Sequence, residues 1–111
     1  MRGILLFAAV AVLAAPSVLA TDAVHNVSIA NFQFSPAILQ IAAGDTVVWT
    51  NNEALPVVHT ATDLLSLAGM GSFDSGDISQ GQSFSHTFSE PGLVLYYCAK
   101  HVVMIGIIQV Q

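Results

Sequence analysis

Beyond residue 20 the chain divides into short extended runs separated by turn residues. Val24, Asn26 and Ser28 alternate with His25, Val27 and Ile29, the period of two that places successive side chains on opposite faces of a strand. Phe34 to Ile41 is a second extended run, with Pro36 near its start where a missing N–H is tolerated. Ala43-Gly44-Asp45 makes a turn. Thr46 to Thr50 is rich in β-branched and aromatic residues and is stopped by Asn51-Asn52. A looser stretch from Glu53 to Gly71 holds a short strand at His59-Thr60-Ala61-Thr62, followed by strands at Phe73 to Gly76, Ser83 to Phe88, Leu93 to Tyr97 and Gly106 to Val110. Gly81, Pro91-Gly92 and a loop from Cys98 to Ile105 separate the later strands. No segment reads as a helix, and neither a repeat nor a low-complexity tract appears. Seven to eight short strands in one small domain predict an all-β fold, a Greek-key antiparallel β-sandwich.

The first twenty residues follow a different pattern. Met1-Arg2-Gly3 gives a short positive start, Ile4 to Leu13 is uncharged and apolar, and Val18-Leu19-Ala20 offers small residues where a signal peptidase reads. The apolar run is interrupted by Pro16 and Ser17 and is shorter than the roughly 20 residues that span a bilayer. The expectation is a signal peptide over 1–20, cut at Ala20/Thr21, and a single domain over 21–111 that is exported, for example to a periplasm. Retention of the segment as an anchor is the alternative.

Charge narrows the partners. With Arg2 removed, Lys100 is the only Lys or Arg against seven acidic residues. Nucleic acid is excluded on that ground, because phosphate neutralisation needs clustered cations. Only 8% of all residues are charged, so the surface is rather apolar and suits transient docking to another protein by a monomer.

A bare sandwich leaves one feature unexplained. Cys98 is the only cysteine, so it has no disulfide partner within the chain, and His101 and Met104 follow it at intervals of three. A thiolate and an imidazole are strong copper ligands, and a thioether is the weak axial ligand of an electron-transfer copper site, which a second imidazole completes. Among the remaining histidines, His59 lies in the connection after Asn51 and is the expected fourth ligand. His86, on the face of Phe84 and Phe88, reads as a core-edge histidine, His25 as a strand or surface residue, and Met70 as a packing residue.

These motifs resemble the cupredoxins, the small type 1 (blue) copper proteins, and in particular the plastocyanin, amicyanin and pseudoazurin group. The resemblance is carried by F-S-P-A-I-L-Q-I-A-A-G-D-T-V-V-W-T-N, P-V-V-H-T-A-T, F-D-S-G, G-Q-S-F-S-H-T-F and E-P-G-L-V-L-Y-Y-C-A-K-H-V-V-M-I-G, which together cover nearly all of 21–111. The short Cys-x-x-His-x-x-Met loop is similar to that of amicyanin. The resemblance implies one copper ion held by His59, Cys98, His101 and Met104, a single-electron shuttle rather than an enzyme, and an asparagine, Asn51, that braces the ligand loops by hydrogen bonding. It also departs from the family. Pro56 and His59 are separated by Val57-Val58, so the His59 loop must be shifted by two residues; Val102 replaces the proline usual after the second ligand histidine; and Gly92-Leu93-Val94 replaces Gly-Thr-Tyr.

Apolar residues around the loop, Val102, Val103 and Ile105 with Leu55, Val57 and Val58, suggest a docking rim for a redox partner such as a cytochrome or a dehydrogenase or oxidase. A periplasmic copper carrier or storage protein would use the same ligands. A cysteine nucleophile activated by His101 would leave Met104 without a purpose.

Overall fold

A computed structural model describes residues 22–111, so the signal segment expected over 1–20 lies outside the described residues. Among these residues eight strands form: β1 (Val24–Ala30), β2 (Gln33–Ser35), β3 (Ile38–Ile41), β4 (Thr46–Asn51), β5 (Thr62–Asp63), β6 (Ser83–Thr87), β7 (Gly92–Cys98) and β8 (His101–Val110). They make two four-stranded sheets, ordered β2-β1-β4-β6 and β3-β8-β7-β5, packed as the expected sandwich. The sheets are mixed rather than purely antiparallel, since β1 runs parallel to β4 and β3 parallel to β8. Among the described residues, no helix is long and apolar enough to cross a membrane.

Alternation along β1, β4 and the second half of β8 decides what those strands bury. Val27 and Ile29 of β1, Val47 and Trp49 of β4, and Ile108 and Val110 of β8 point inward and are essentially inaccessible. Trp49 stands at the centre, stacked on Phe73 at 5.5 Å and edge-on to Tyr96 at 5.3 Å. Tyr96 lies directly across the ladder from Gly106, where an added Cβ would collide with its ring. Only glycine leaves room for that ring, and burial pushes the Tyr96 hydroxyl pKa up to about 12.

Four boundaries differ from the sequence expectations, each for a local reason. The run Phe34 to Ile41 is split in two, β2 in one sheet and β3 in the other, because Pro36 has no N–H to give a ladder and the chain crosses between sheets there. No strand forms at Phe73 to Gly76. Asp74 makes only an isolated bridge with Thr62, and its carboxylate instead accepts from the Gly76 N–H and the Thr62 hydroxyl. The strand expected over 59–62 shrinks to Thr62–Asp63, with His59 held by an isolated bridge to Ile78. A 3-10 helix, Leu64–Ala68, occupies part of the looser stretch; the Asp63 carboxylate caps it by accepting the Leu65 N–H, and its other oxygen accepts the Ser72 N–H and hydroxyl.

The loop expected from Cys98 to Ile105 is also different. β8 begins at His101, the ladder runs to Tyr97↔Ile105, and then the register slips so that Cys98 pairs with His101. Residues 102–104 are thereby left without partners on β7. This bulge compresses three chemically distinct side chains into the end of one hairpin.

Candidate metal centre

The hairpin end and the loop after β4 meet at one edge of the sandwich. Cys98 closes β7 and is fully buried; His101 opens β8 and is partly exposed; His59 comes in from the β4–β5 connection and is also fully buried. Cys98 Sγ lies 3.7 Å from His59 Nδ1 and 3.6 Å from His101 Nδ1. All three ligand atoms fall within 4.8 Å of one another.

These separations fit an ion placed among the three atoms. Sulfur and nitrogen ligands at about 2.3 and 2.0 Å from a shared first-row ion, with angles between tetrahedral and trigonal, are about 3.5 to 3.8 Å apart. One soft thiolate with two imidazoles is a donor set suited to copper. Met104, 2% exposed, is buried in the same apolar cluster as Cys98. Inward-facing Met104 follows from the β8 alternation, in which Met104, Gly106 and Ile108 all point into the core.

Hydrogen bonds hold each approach. The Thr60 N–H donates to Cys98 Sγ at 3.3 Å, and the Thr60 hydroxyl accepts the Ala99 N–H at 2.8 Å, tying the His59 loop to both sides of the thiol. Asn51 is fully buried; its amide donates to the Val57 and Ile78 carbonyls, and its oxygen accepts the Glu53 N–H. Because Ile78 also bridges to His59, Asn51 links the end of β4 both to the segment that carries His59 and to the one bridged to it. In the segment Pro56-Val57-Val58-His59, Val57 and Val58 are half-buried and His59 faces the thiol.

Two participants gave no signal in the sequence. Glu53 is buried, and its carboxylate takes the His59 Nε2–H at 2.7 Å and the backbone N–H groups of Asn31 and Phe32 at 3.0 and 2.9 Å. Burial would raise its pKa, but the bonds from Phe32, His59 and Asn31 outweigh that and hold it below the ordinary carboxylate value. Phe32, at the β1–β2 turn, sets its ring edge-on to both His59, at 5.4 Å, and His101, at 4.9 Å. An acidic residue six positions before a histidine, in a segment without periodicity, carries no pattern by which to pair them.

The other candidate ligands stand elsewhere. His25 bonds to Asp45 at 2.8 Å, and His86 packs between Phe73 and Phe88, where burial depresses its pKa against the opposing effect of Asp63. Met70 is 71% exposed in the loop after the 3-10 helix. Around the site Leu55, Val102, Val103 and Ile105 are exposed, joined by Phe32.

The family described as copper binding proteins, plastocyanin/azurin family, matches residues 21–111. Amicyanin of Paracoccus denitrificans is 32% identical over 90 residues, covering 81% of this chain and 67% of its own length. Plastocyanin of Scenedesmus fuscus is 33% identical over 84 residues, covering 70% of this chain and 86% of its own. Among solved structures, a methionine-to-alanine mutant of amicyanin in its Cu(I) form superposes with a TM-score of 0.69 at 30% identity, covering 79% of this chain and 82% of that one. A copper-containing nitrite reductase of Thermus scotoductus SA-01 gives 0.70 at 26% identity, but this chain matches only 22% of it.

Proposed function

The chain belongs to the plastocyanin/azurin family of copper-binding proteins, and from that premise we propose that it is an exported one-electron carrier in which His59, Cys98, His101 and Met104 hold a single type 1 copper ion. The observation that carries the reading is the convergence of Cys98 Sγ with Nδ1 of His59 and of His101 within 4.8 Å. Copper bound there supplies a Cu(II)/Cu(I) couple that accepts and releases one electron.

The chain's own residues account for the rest of the role. Cys98, His59 and Met104 are shielded from water, and the partly exposed His101 provides the edge through which an electron leaves. Asn51 and Thr60 tie the ligand segments together, which limits rearrangement when the charge at the site changes. Exposed Leu55, Val102, Val103 and Ile105 offer an apolar rim for brief docking of a cytochrome, dehydrogenase or oxidase, and the acidic surplus favours a partner with basic residues. Four ligands leave no open position for a substrate, so the proposed role is transfer rather than catalysis. Export rests on the charged start, apolar run and small residues of 1–20.

The test is a visible and electron paramagnetic resonance spectrum with voltammetry on copper-loaded protein, beside Cys98→Ser and His59→Ala. An intense thiolate-to-copper band with narrow hyperfine splitting, lost in both variants, and reversible one-electron cycling are expected. Rapid loss of copper to a chelator without reversible cycling would instead identify a copper carrier. A spectrum that survives His59→Ala would sink the ligand assignment.

A further inference from the structure

The β1–β2 hairpin turns through Asn31 and Phe32, both with left-handed backbones at φ 53° and 57°, between the paired residues Ala30 and Gln33. A two-residue turn of this hand prefers Asn followed by Gly, because the second position also needs positive φ. Asn31 suits its place, but a phenylalanine at the second is a strained choice that persists only when its surroundings hold it. The holder is Glu53. One carboxylate oxygen accepts the Asn31 N–H; the other accepts both the Phe32 N–H and His59 Nε2–H. The strained residue then places its ring against both histidines that flank Cys98.

We propose that Glu53 is a positioning residue that tunes the copper site from behind His59, and that Phe32 is the cover it holds in place. The inference rests on His59 being a ligand. With the carboxylate accepting from Nε2, the His59 proton is fixed on that nitrogen, leaving the Nδ1 lone pair toward Cys98. An anionic acceptor also makes the imidazole a stronger donor, and the added negative charge favours the more positive Cu(II) over Cu(I). The effect is opposite to that expected of a weak thioether ligand. Glu53 thus lowers the reduction potential, while Phe32 keeps water from the histidine ring edges.

The experiment compares copper-loaded wild type with Glu53→Gln and Phe32→Gly by voltammetry, visible and electron paramagnetic resonance spectra, and nitrogen NMR of the Cu(I) protein. In wild type the His59 Nε2 must carry a slowly exchanging proton. Glu53→Gln is expected to keep the blue spectrum but weaken Cu(II) binding about tenfold relative to Cu(I), in line with other outer partners of metal-bound histidines. Tenfold corresponds to a rise of about 59 mV for one electron. Phe32→Gly is expected to leave the hairpin folded and to speed exchange of that proton. An unchanged potential with an intact blue spectrum in Glu53→Gln overturns the inference and leaves His59 as ligand. Absence of the Nε2 proton in wild type overturns it even where Glu53→Gln does not fold. A blue spectrum that persists in His59→Ala refutes the ligand assignment itself.

Discussion

Two histidine–carboxylate pairs of nearly equal length sit in this molecule, and they do different work. His59 meets Glu53 at 2.7 Å with both side chains shielded, at 0% and 7% exposure. His25 meets Asp45 at 2.8 Å with the histidine 27% exposed. The difference is in what surrounds the pair. The second ring nitrogen of His59 faces Cys98, whereas the Asp45 carboxylate also accepts the Ala23 and Ala42 N–H groups, closing the first strand against the turn before β4. A histidine with a carboxylate is therefore not by itself a sign of chemistry; the partner of its other nitrogen decides.

The largest expected contrast is between removing the two histidines. His59→Ala should abolish the intense blue absorption of the copper-loaded protein, and His25→Ala should leave both band and reduction potential in place. Loss of the band in His25→Ala would collapse the distinction.

A second contrast uses pH. The bond from His25 and the Ala42 N–H hold the Asp45 pKa below its ordinary 3.8. A carboxylate depressed on folding stabilises fully above 3.8, and that contribution disappears as pH falls through the lower folded value. Urea unfolding of copper-free protein should therefore show a loss of stability below pH 3.8 that is smaller in Asp45→Asn, a variant whose copper potential at neutral pH matches wild type. A potential shift in Asp45→Asn comparable to that of Glu53→Gln would show long-range charge rather than position to be at work.

Smaller effects should come from the connecting groups. Thr60→Ala removes the acceptor of the Ala99 N–H beside the thiol and should cost about 1 to 3 kcal/mol in unfolding free energy, with the visible band shifted but present. Lys100→Ala, in the hairpin turn between Cys98 and His101, breaks the exposed 3.3 Å pair with Asp77 and should cost under about 1 kcal/mol, measured by the same unfolding experiment. A larger loss from Lys100 would mean that the turn, rather than the buried bonds, fixes the spacing of Cys98 and His101.

Some of this was legible in the residues because it is local. Alternation marked β1, and β-branched or aromatic runs bounded by turn residues marked β4, β6 and β7, each within a residue or two. Cys98, His101 and Met104 could be grouped because a short connection must bring them close, whichever way it turns. Where the reading failed, side-chain bonds and strand register decided instead. Phe73 to Gly76 looked like a strand by composition, but the Asp74 side chain takes up local donors and leaves only a bridge to Thr62. His101 looked like a loop residue, yet it pairs with Cys98 once the register slips.

Neighbouring positions alone were enough to dictate a small β-sandwich with a thiol, an imidazole and a thioether crowded onto its last hairpin, because strand periodicity and three-residue spacing are properties of adjacent residues. Which face His59 turns to Cys98, that Glu53 stands behind it, and that Phe32 covers both histidines were settled only once the chain had packed. Those arrangements join residues from the β1–β2 turn, the β4–β5 connection and the β7–β8 hairpin. Hydrogen bonds and ring contacts act over a few ångströms in space, and only the packing of the two sheets brings such separated residues within that range.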